Sequence, residues 1–222
     1  MVEGAVRSGS KTIAYTYTEP TVYFEFAFDT ARLARERNLK NVFVTNGYMT
    51  SKAIEIIAPY LDAANVDLKS YRDEFYKNYC GAHLGPVTDS LRKMKELGIL
   101  VEVTTLVIPT LNDGIDELKG IAQFIYSLGA ETPWHVSRFY PRYKMTSTPP
   151  TTTETLLSAL KIGSDAGLKY IYVGNVPGGK GENTYCFNCG KLLIKRYGFS
   201  VDTIALEKNA CSYCGTVLDG LY

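Results

Sequence analysis

Cys186-Phe-Asn-Cys189-Gly190 and Cys211-Ser-Tyr-Cys214-Gly215 are the residues whose types and spacing point most directly to chemistry. Two CxxC pairs separated by 21 residues match a four-thiolate zinc site. Each pair wraps a tight turn around the metal, and Gly190 and Gly215 stand where a positive φ is useful after the second thiolate. A closed four-cysteine site is structural, and it supplies folding energy to a segment too short for its own core. Between the pairs, Leu192–Tyr197 and Val201–Ile204 read as a hairpin across Gly198, so residues 181–222 are expected to form a zinc ribbon. The fifth cysteine, Cys80, has no cysteine neighbour at ligand spacing and is expected as a semi-buried thiol. Gly178-Gly-Lys-Gly181 lacks P-loop spacing and reads as a linker.

A second set of polar residues gathers where strand candidates end: Thr18-Glu19, Thr45-Asn46, Asp67, Lys69, His135 and Arg138. Each has a plain structural reading. Glu19-Pro20 and Asn46-Gly47 are common turns. Asp67 and Lys69 could form an exposed ion pair of little energetic worth. A lone histidine such as His135 is more often structural than catalytic, and His83 reads as a loop or helix-start residue with no assigned role. Tyr15, Tyr17, Tyr23, Tyr140, Tyr143, Tyr170 and Tyr172 are expected to pack strand faces and rims.

The elements that must position these residues alternate. Thr12–Tyr17, Asn41–Thr45, Ala64–Leu68, Leu100–Val107, Trp134–Phe139 and Lys169–Val173 read as strands. Val22–Arg37, Ser51–Ile57, Val87–Leu97, Ile115–Ser127 and Thr153–Ala166 read as helices, with Ser51 as an N-cap and Asn112-Asp113 opening the fourth of them. Repeated βα units require parallel pairing with right-handed crossovers. A doubly wound sheet and a (β/α) barrel both fit, and both place their sites at the carboxyl ends of strands.

Composition bounds the answer. The 222 residues suit one domain with a small appendage, and 45% hydrophobic with 21% charged residues is ordinary for a globular protein. A net charge of +1 gives no global basic field, so nucleic acid is not an expected partner. The first ten residues do not resemble a signal peptide, and no apolar run approaches a membrane span. The expected compartment is the cytoplasm, where clustered cysteines favour a metal over disulfides.

Ile13–Glu25, Val44-Thr-Asn-Gly47, Asn65-Val-Asp-Leu-Lys69 and Pro133-Trp-His135 occur in an order that resembles radical S-adenosylmethionine (SAM) enzymes of the pyruvate formate-lyase-activating-enzyme type. The likeness is greatest to the branch called the AmmeMemoRadiSam-system radical SAM protein. Leu106–Asp113, Ser137–Pro141, Tyr172–Val176 and the two-CxxC tail add to it. The resemblance implies a TIM-like barrel over residues 1–180. It also implies that the Glu19 turn receives the ammonium of S-adenosylmethionine, a role that suits a carboxylate and freed carbonyls at a strand end. Thr45 and Asn46 stand in the family's Thr-Asn-Gly turn. Asp67 and Lys69, at alternate positions and so on one side of the sheet, match residues ordering the methionyl end, with Lys69 meeting its carboxylate. His135 matches a strand-end histidine that contacts the cofactor, and Arg138 is a weaker candidate for the substrate side.

One departure matters. The family holds a 4Fe–4S cluster on a CxxxCxxC loop after its first strand, and these 222 residues contain no CxxxCxxC. The first strand here matches the family's second. The expected fold is therefore an incomplete (β/α)6 barrel, lacking its first βα unit, with a C-terminal zinc ribbon. The expected function is that of a radical SAM enzyme abstracting hydrogen from an unknown, protein or other, substrate. In that reading the chain is N-terminally truncated and inactive alone, and a complementing N-terminal fragment is an expected partner. The alternatives are a cluster-free SAM-binding or protein-interaction module, and a ribbon whose α/β part is only a scaffold. The exposed edge of a partial barrel also invites pairing with another chain.

Overall fold

The structure is a computed structural model that describes residues 1–176, 180–198 and 200–220; the Gly178-Gly179 part of the expected linker lies outside the described residues. The chain divides into two compact units, Met1–Thr104 and Thr105–Tyr222.

The first unit comprises α1 (Val2–Arg7), β1 (Thr12–Tyr15), α2 (Phe24–Glu36), β2 (Lys40–Thr45), α3 (Ser51–Ile57) and β3 (Ala63–Asp67). A short α4 (Asp73–Phe75) follows and runs into a π-helical turn (Tyr76–Cys80). Then come α5 (Leu84–Glu96) and β4 (Leu100–Val107), which the division between the units cuts. The strands pair in parallel, with Ile13 opposite Asn41, Val44 opposite Asn65 and Asn65 opposite Glu102. Burial alternates strictly along them. Asn41, Phe43, Thr45, Ala64, Val66, Val101 and Val103 are buried, whereas Val42, Val44, Asn65, Asp67, Glu102 and Thr104 stay partly open. A parallel sheet covered on both faces reads as a continuous apolar run; this alternation marks one covered face and one more open, polar face. Asn41 locks the covered side. Its amide donates to the carbonyls of Ala31 and Tyr60, each at 3.0 Å, and its oxygen accepts from the Tyr15 hydroxyl at 2.9 Å. A buried amide so satisfied costs little and fixes register.

The second unit holds α6 (Ile115–Leu128), β5 (Trp134–Arg138), a 3-10 turn (Tyr143–Met145), α7 (Thr153–Asp165) and β6 (Ile171–Gly174). β5 and β6 pair in parallel, with His135 opposite Tyr172. Small strands follow: β7 (Thr184–Tyr185), β8 (Leu192–Tyr197), β9 (Ser200–Ile204), β10 (Leu206–Glu207) and β11 (Ala210–Cys211). β7, β8 and β9 form a three-stranded antiparallel sheet, and β10 pairs with β11. The expected hairpin is therefore present as β8 and β9.

In the first unit the strands lie in the unreversed order β1-β2-β3-β4, and in the second β5 lies beside β6. A doubly wound sheet reverses its order at a switch point, so that alternative is excluded. Among the described residues no helix is long and apolar enough to cross a membrane.

Several local expectations need correction. The α3 cap is Thr50, not Ser51: the Thr50 hydroxyl accepts from the Ala53 amide at 3.2 Å, so the helix starts one residue past its cap. Asn112 and Asp113 do not cap α6. Their carboxamide and carboxylate accept from the Ile108 and Thr110 amides and close the turn after β4 instead. Tyr17 and Tyr143, expected to pack, are 92% and 86% exposed, because each sits at positive φ in a loop beyond its strand. Cys80 is exposed rather than semi-buried, because it ends the π turn just before Gly81 reverses the chain. His83 is the N-cap residue of α5, as a helix-start reading requires, and its Nδ1 lies 3.2 Å from the Asp73 carboxylate.

Candidate functional site

The carboxyl ends of β1 and β2 are tied together by one carboxylate. Glu19 Oε1 accepts from the Thr45 hydroxyl at 2.6 Å, the Thr21 hydroxyl at 3.0 Å and the Thr21 amide at 3.3 Å. Glu19 Oε2 accepts from the Asn46 amide at 2.7 Å. The turn thus brings together three of the predicted residues, Glu19, Thr45 and Asn46. A carboxylate offers about four acceptor positions; Oε1 is saturated, while Oε2 with its single donor keeps room for another. Thr21 was missed in the sequence, although a hydroxyl two residues after an acid, at a turn, is a recognisable local bond former.

The neighbouring groups hold this clamp in place. Gly47 has φ +73°, and a Cβ there would lie 2.6 Å from a Val66 methyl, so both conformation and space demand glycine. The Asn46 carboxamide accepts from the Tyr48 amide at 2.8 Å, and the Gly47 amide donates to the Thr45 hydroxyl at 3.1 Å. Tyr23 donates its hydroxyl to the Thr16 carbonyl at 2.7 Å. Burial first, and the nearby Glu19 charge second, push the Tyr23 phenol above its usual range.

At the end of β3, Lys69 Nζ meets Asp67 Oδ2 at 2.7 Å, with the two side chains 35% and 39% exposed. Such a pair holds itself together weakly in solvent. Behind it stands Tyr76, which sequence reasoning missed. Its hydroxyl accepts from the Lys69 amide at 3.0 Å, and burial pushes its phenol well above the usual range. Asn65, one pleat earlier on the same face as Asp67, accepts from the Thr104 hydroxyl at 2.7 Å.

In the second unit, His135 lies on the partly open face of β5 between the buried Trp134 and Val136. Its ring stacks on Tyr172 of the paired strand, with centroids 5.2 Å apart and planes 27° apart. Tyr172 in turn contacts the Thr184 hydroxyl at 3.1 Å, and Arg196 lies 5.8 Å from its ring centroid. Arg138, half-buried, places its guanidinium 5.1 Å from the Tyr140 ring centroid.

The tail closes around its cysteines. Cys186 and Cys214 sulfurs are 3.7 Å apart, as are those of Cys189 and Cys211, and all four lie within 4.8 Å of one another. A disulfide needs about 2.05 Å, so none is bonded; a tetrahedron of Zn–S bonds has edges of about 3.8 Å. The two turns are built alike. The Gly190 amide donates to the Cys186 carbonyl at 2.9 Å, and the Gly215 amide to the Cys211 carbonyl at 2.8 Å, with φ of +69° and +72° at the two glycines. Cys186, Leu193, Cys211 and Leu218 are the buried core, with Ile194, Ala205 and Leu206 packed against it. The Thr216 hydroxyl and amide pull the Cys214 thiol down to about 6. The Lys191 amide pulls Cys189 down too, but desolvation and the neighbouring thiols Cys214, Cys186 and Cys211 outweigh it and push Cys189 up to about 12. Four sulfurs this close cannot all ionise unaided, and a dication relieves that repulsion. The tail is fastened to β6 and the residues before it. Asp219 meets Lys169 at 3.0 Å and the Tyr170 hydroxyl at 3.2 Å, and Phe187 packs edge-on against Tyr170.

Comparison with known proteins shows what the chain is similar to. Residues 1–125 match the radical SAM superfamily. An uncharacterized protein of Methanocaldococcus jannaschii is 50% identical over 222 residues, covering 99% of this chain and 66% of its own length. The pyruvate formate-lyase-activating enzyme of Clostridium pasteurianum is 25% identical over 122 residues, covering 55% of this chain and 50% of its own. The chain therefore spans about two thirds or less of these relatives. Among solved structures, a domain of pyruvate-formate lyase-activating enzyme from Bacteroides vulgatus superposes with a TM-score of 0.63 at 17% identity, covering 73% of this chain and 98% of that domain. The match over more than half of its residues places the chain in the radical SAM superfamily, among proteins similar to the pyruvate formate-lyase-activating enzymes.

Proposed function

We propose that residues 1–180 are the S-adenosylmethionine-binding part of a radical SAM enzyme, built as an incomplete (β/α)6 barrel, and that residues 181–222 are a structural zinc ribbon. The observation that carries the first claim is the Glu19 clamp, which gathers the predicted strand-end residues Thr45 and Asn46 into one polar turn. S-adenosylmethionine would supply an adenosyl group as hydrogen acceptor, the electron for its cleavage coming from a donor outside these residues. Glu19 Oε2 and the turn's carbonyls receive an ammonium. Lys69 exchanges its pairing with Asp67 for a ligand carboxylate, and Asp67 orders that end. His135 enters by its resemblance to the family's strand-end histidine. The cluster ligands do not fit: four cysteines converge in the tail, Cys80 stands alone, and no CxxxCxxC occurs in the 222 residues. No step is therefore routed through a cluster here. Its thiolates come from polypeptide beyond these residues, which is the complementing fragment proposed as a partner. The unbonded tail sulfurs suit the reducing cytoplasm.

Calorimetry of the chain with S-adenosylmethionine tests this reading. Lys69→Met is expected to weaken binding at least tenfold, while the surface change Arg92→Ala leaves it unaltered. The absence of binding to the folded chain would overturn the reading. Binding in a chain that never reconstitutes a cluster, alone or with an added CxxxCxxC segment, would favour the cluster-free module.

A further inference from the structure

From Thr132 to Thr153 the chain has no acidic residue, yet Arg138, Arg142 and Lys144 fall within this stretch. The whole protein carries only +1, so the excess is local. The segment follows β5 and leads to α7, at a carboxyl strand end, where (β/α) folds bind their ligands. Arg142 and Lys144 are exposed and form no ion pair among the described residues. Arg138 is half-buried and likewise meets no carboxylate; among the described residues its buried Nε has no hydrogen-bond partner. A buried cationic donor without an acceptor is costly, and natural structures rarely leave one without a purpose.

The base of the segment is firmly held. The fully buried Thr151 donates its hydroxyl to the Val107 carbonyl at 2.6 Å and accepts from the Phe139 amide at 2.8 Å. The Asn175 carboxamide donates to the Ser137 hydroxyl at 3.0 Å and the Arg138 carbonyl at 3.2 Å, and Tyr140 donates to the Asn175 carbonyl at 3.2 Å. Two cation–aromatic pairs then project from it, Arg138 over Tyr140 and Lys144 over the exposed Tyr143. A guanidinium on a rigid base presents a fork for two oxygens of one group.

We propose that Arg138, supported by Arg142 and Lys144, is the recognition site for an oxyanion, phosphate or carboxylate, carried by the substrate. This names the substrate class of the function proposed above and rests on that reading only for the word substrate. The orphan Nε–H is the probe. Its side-chain 15N–1H resonance is followed while the zinc-loaded chain is titrated with inorganic phosphate and, separately, with succinate. A saturable shift with one of the two is expected, and the stronger arm tells phosphate from carboxylate. Arg142→Gln/Lys144→Gln, two exposed positions, is expected to weaken that response at least fivefold while keeping the fold. Arg138→Gln is expected to abolish anion binding and retain S-adenosylmethionine affinity within twofold. No saturable shift with either anion, or an unchanged response in the double variant, would overturn the proposal. So would a tenfold loss of S-adenosylmethionine affinity in Arg138→Gln, since the anion recognised would then be the cofactor's own carboxylate. A failure of S-adenosylmethionine binding with the anion response intact would instead count against the function proposed above alone.

Discussion

Replacing Glu19 with glutamine separates what this side chain does for the fold from what it does for a ligand. The carboxylate accepts four hydrogen bonds, two from backbone amides and two from hydroxyls. Glutamine keeps one acceptor oxygen and turns the other into a donor. Placed toward Asn46, the new NH2 faces an amide N–H; placed toward Thr21 and Thr45, it faces two hydroxyls that can reverse and one amide that cannot. Either way a backbone N–H loses its acceptor, and the remaining bonds lose their charge assistance. Bonds to a charged acceptor are worth about 1.5–3 kcal/mol, and an orphaned group costs about 1–3 kcal/mol, so we expect a loss of about 2–4 kcal/mol. For a chain of this size each kcal/mol moves Tm by roughly 2–4 °C, so Glu19→Gln should melt about 4–16 °C lower in the absence of any ligand. Calorimetric melting of the zinc-loaded protein is the assay, with Thr45→Val and the double variant completing a cycle. A coupling of about 0.5–3 kcal/mol between the two positions is expected. A ligand-free Tm within about 1 °C of the parent, or strict additivity, would refute the clamp and leave Glu19 as a ligand group only.

Two further outcomes follow from the same bonds. Asp62, its side chain 9% exposed, pairs with Arg35 at 2.9 Å and Lys40 at 2.8 Å and accepts from the Asn41 amide at 2.9 Å. Burial alone would raise its pKa, but these bonds hold it below the usual 3.8. A depressed carboxylate stabilises above its unfolded pKa and loses that contribution as pH falls through the folded value. Asp62→Asn should therefore lower the unfolding free energy measured in urea near neutral pH by about 1–2 kcal/mol, and flatten the loss of stability below about pH 4; parallel acid limbs in the two proteins would refute this. Cys211→Ser should abolish zinc binding, from about one ion per chain to none, measured by dye release. Hydrogen exchange should then show β8 and the Asp219 region unprotected, because four buried residues are too small a core without metal. A protected tail without zinc would refute the ribbon's dependence on it.

Much of the site was legible because it is written in local patterns. The CxxC-Gly repeats carry their own turn geometry, and both glycines take the positive φ their positions require. Strand periodicity located all six main strands to within two residues at most ends, because one covered face imposes an alternation that survives in the sequence. Helix starts were less legible. The residues that resembled caps, Ser51, Asn112 and Asp113, compete with neighbours for the same amides, and only the folded turn shows which hydroxyl or carboxylate wins.

The residue types and their order determined that this chain has βα units, strand-end polar groups and a four-thiolate tail. The tertiary structure decided the rest. Strand order, an outcome of which edges meet, excluded the doubly wound alternative that periodicity left open. Proximity joined Glu19 to Thr45 and Asn46 across 26 and 27 positions of sequence. It paired His135 with Tyr172, and it left the Arg138 Nε buried without an acceptor among the described residues. Local sequence sets which bonds a residue is able to make; which of them it makes depends on groups that only the folded chain brings within hydrogen-bond reach.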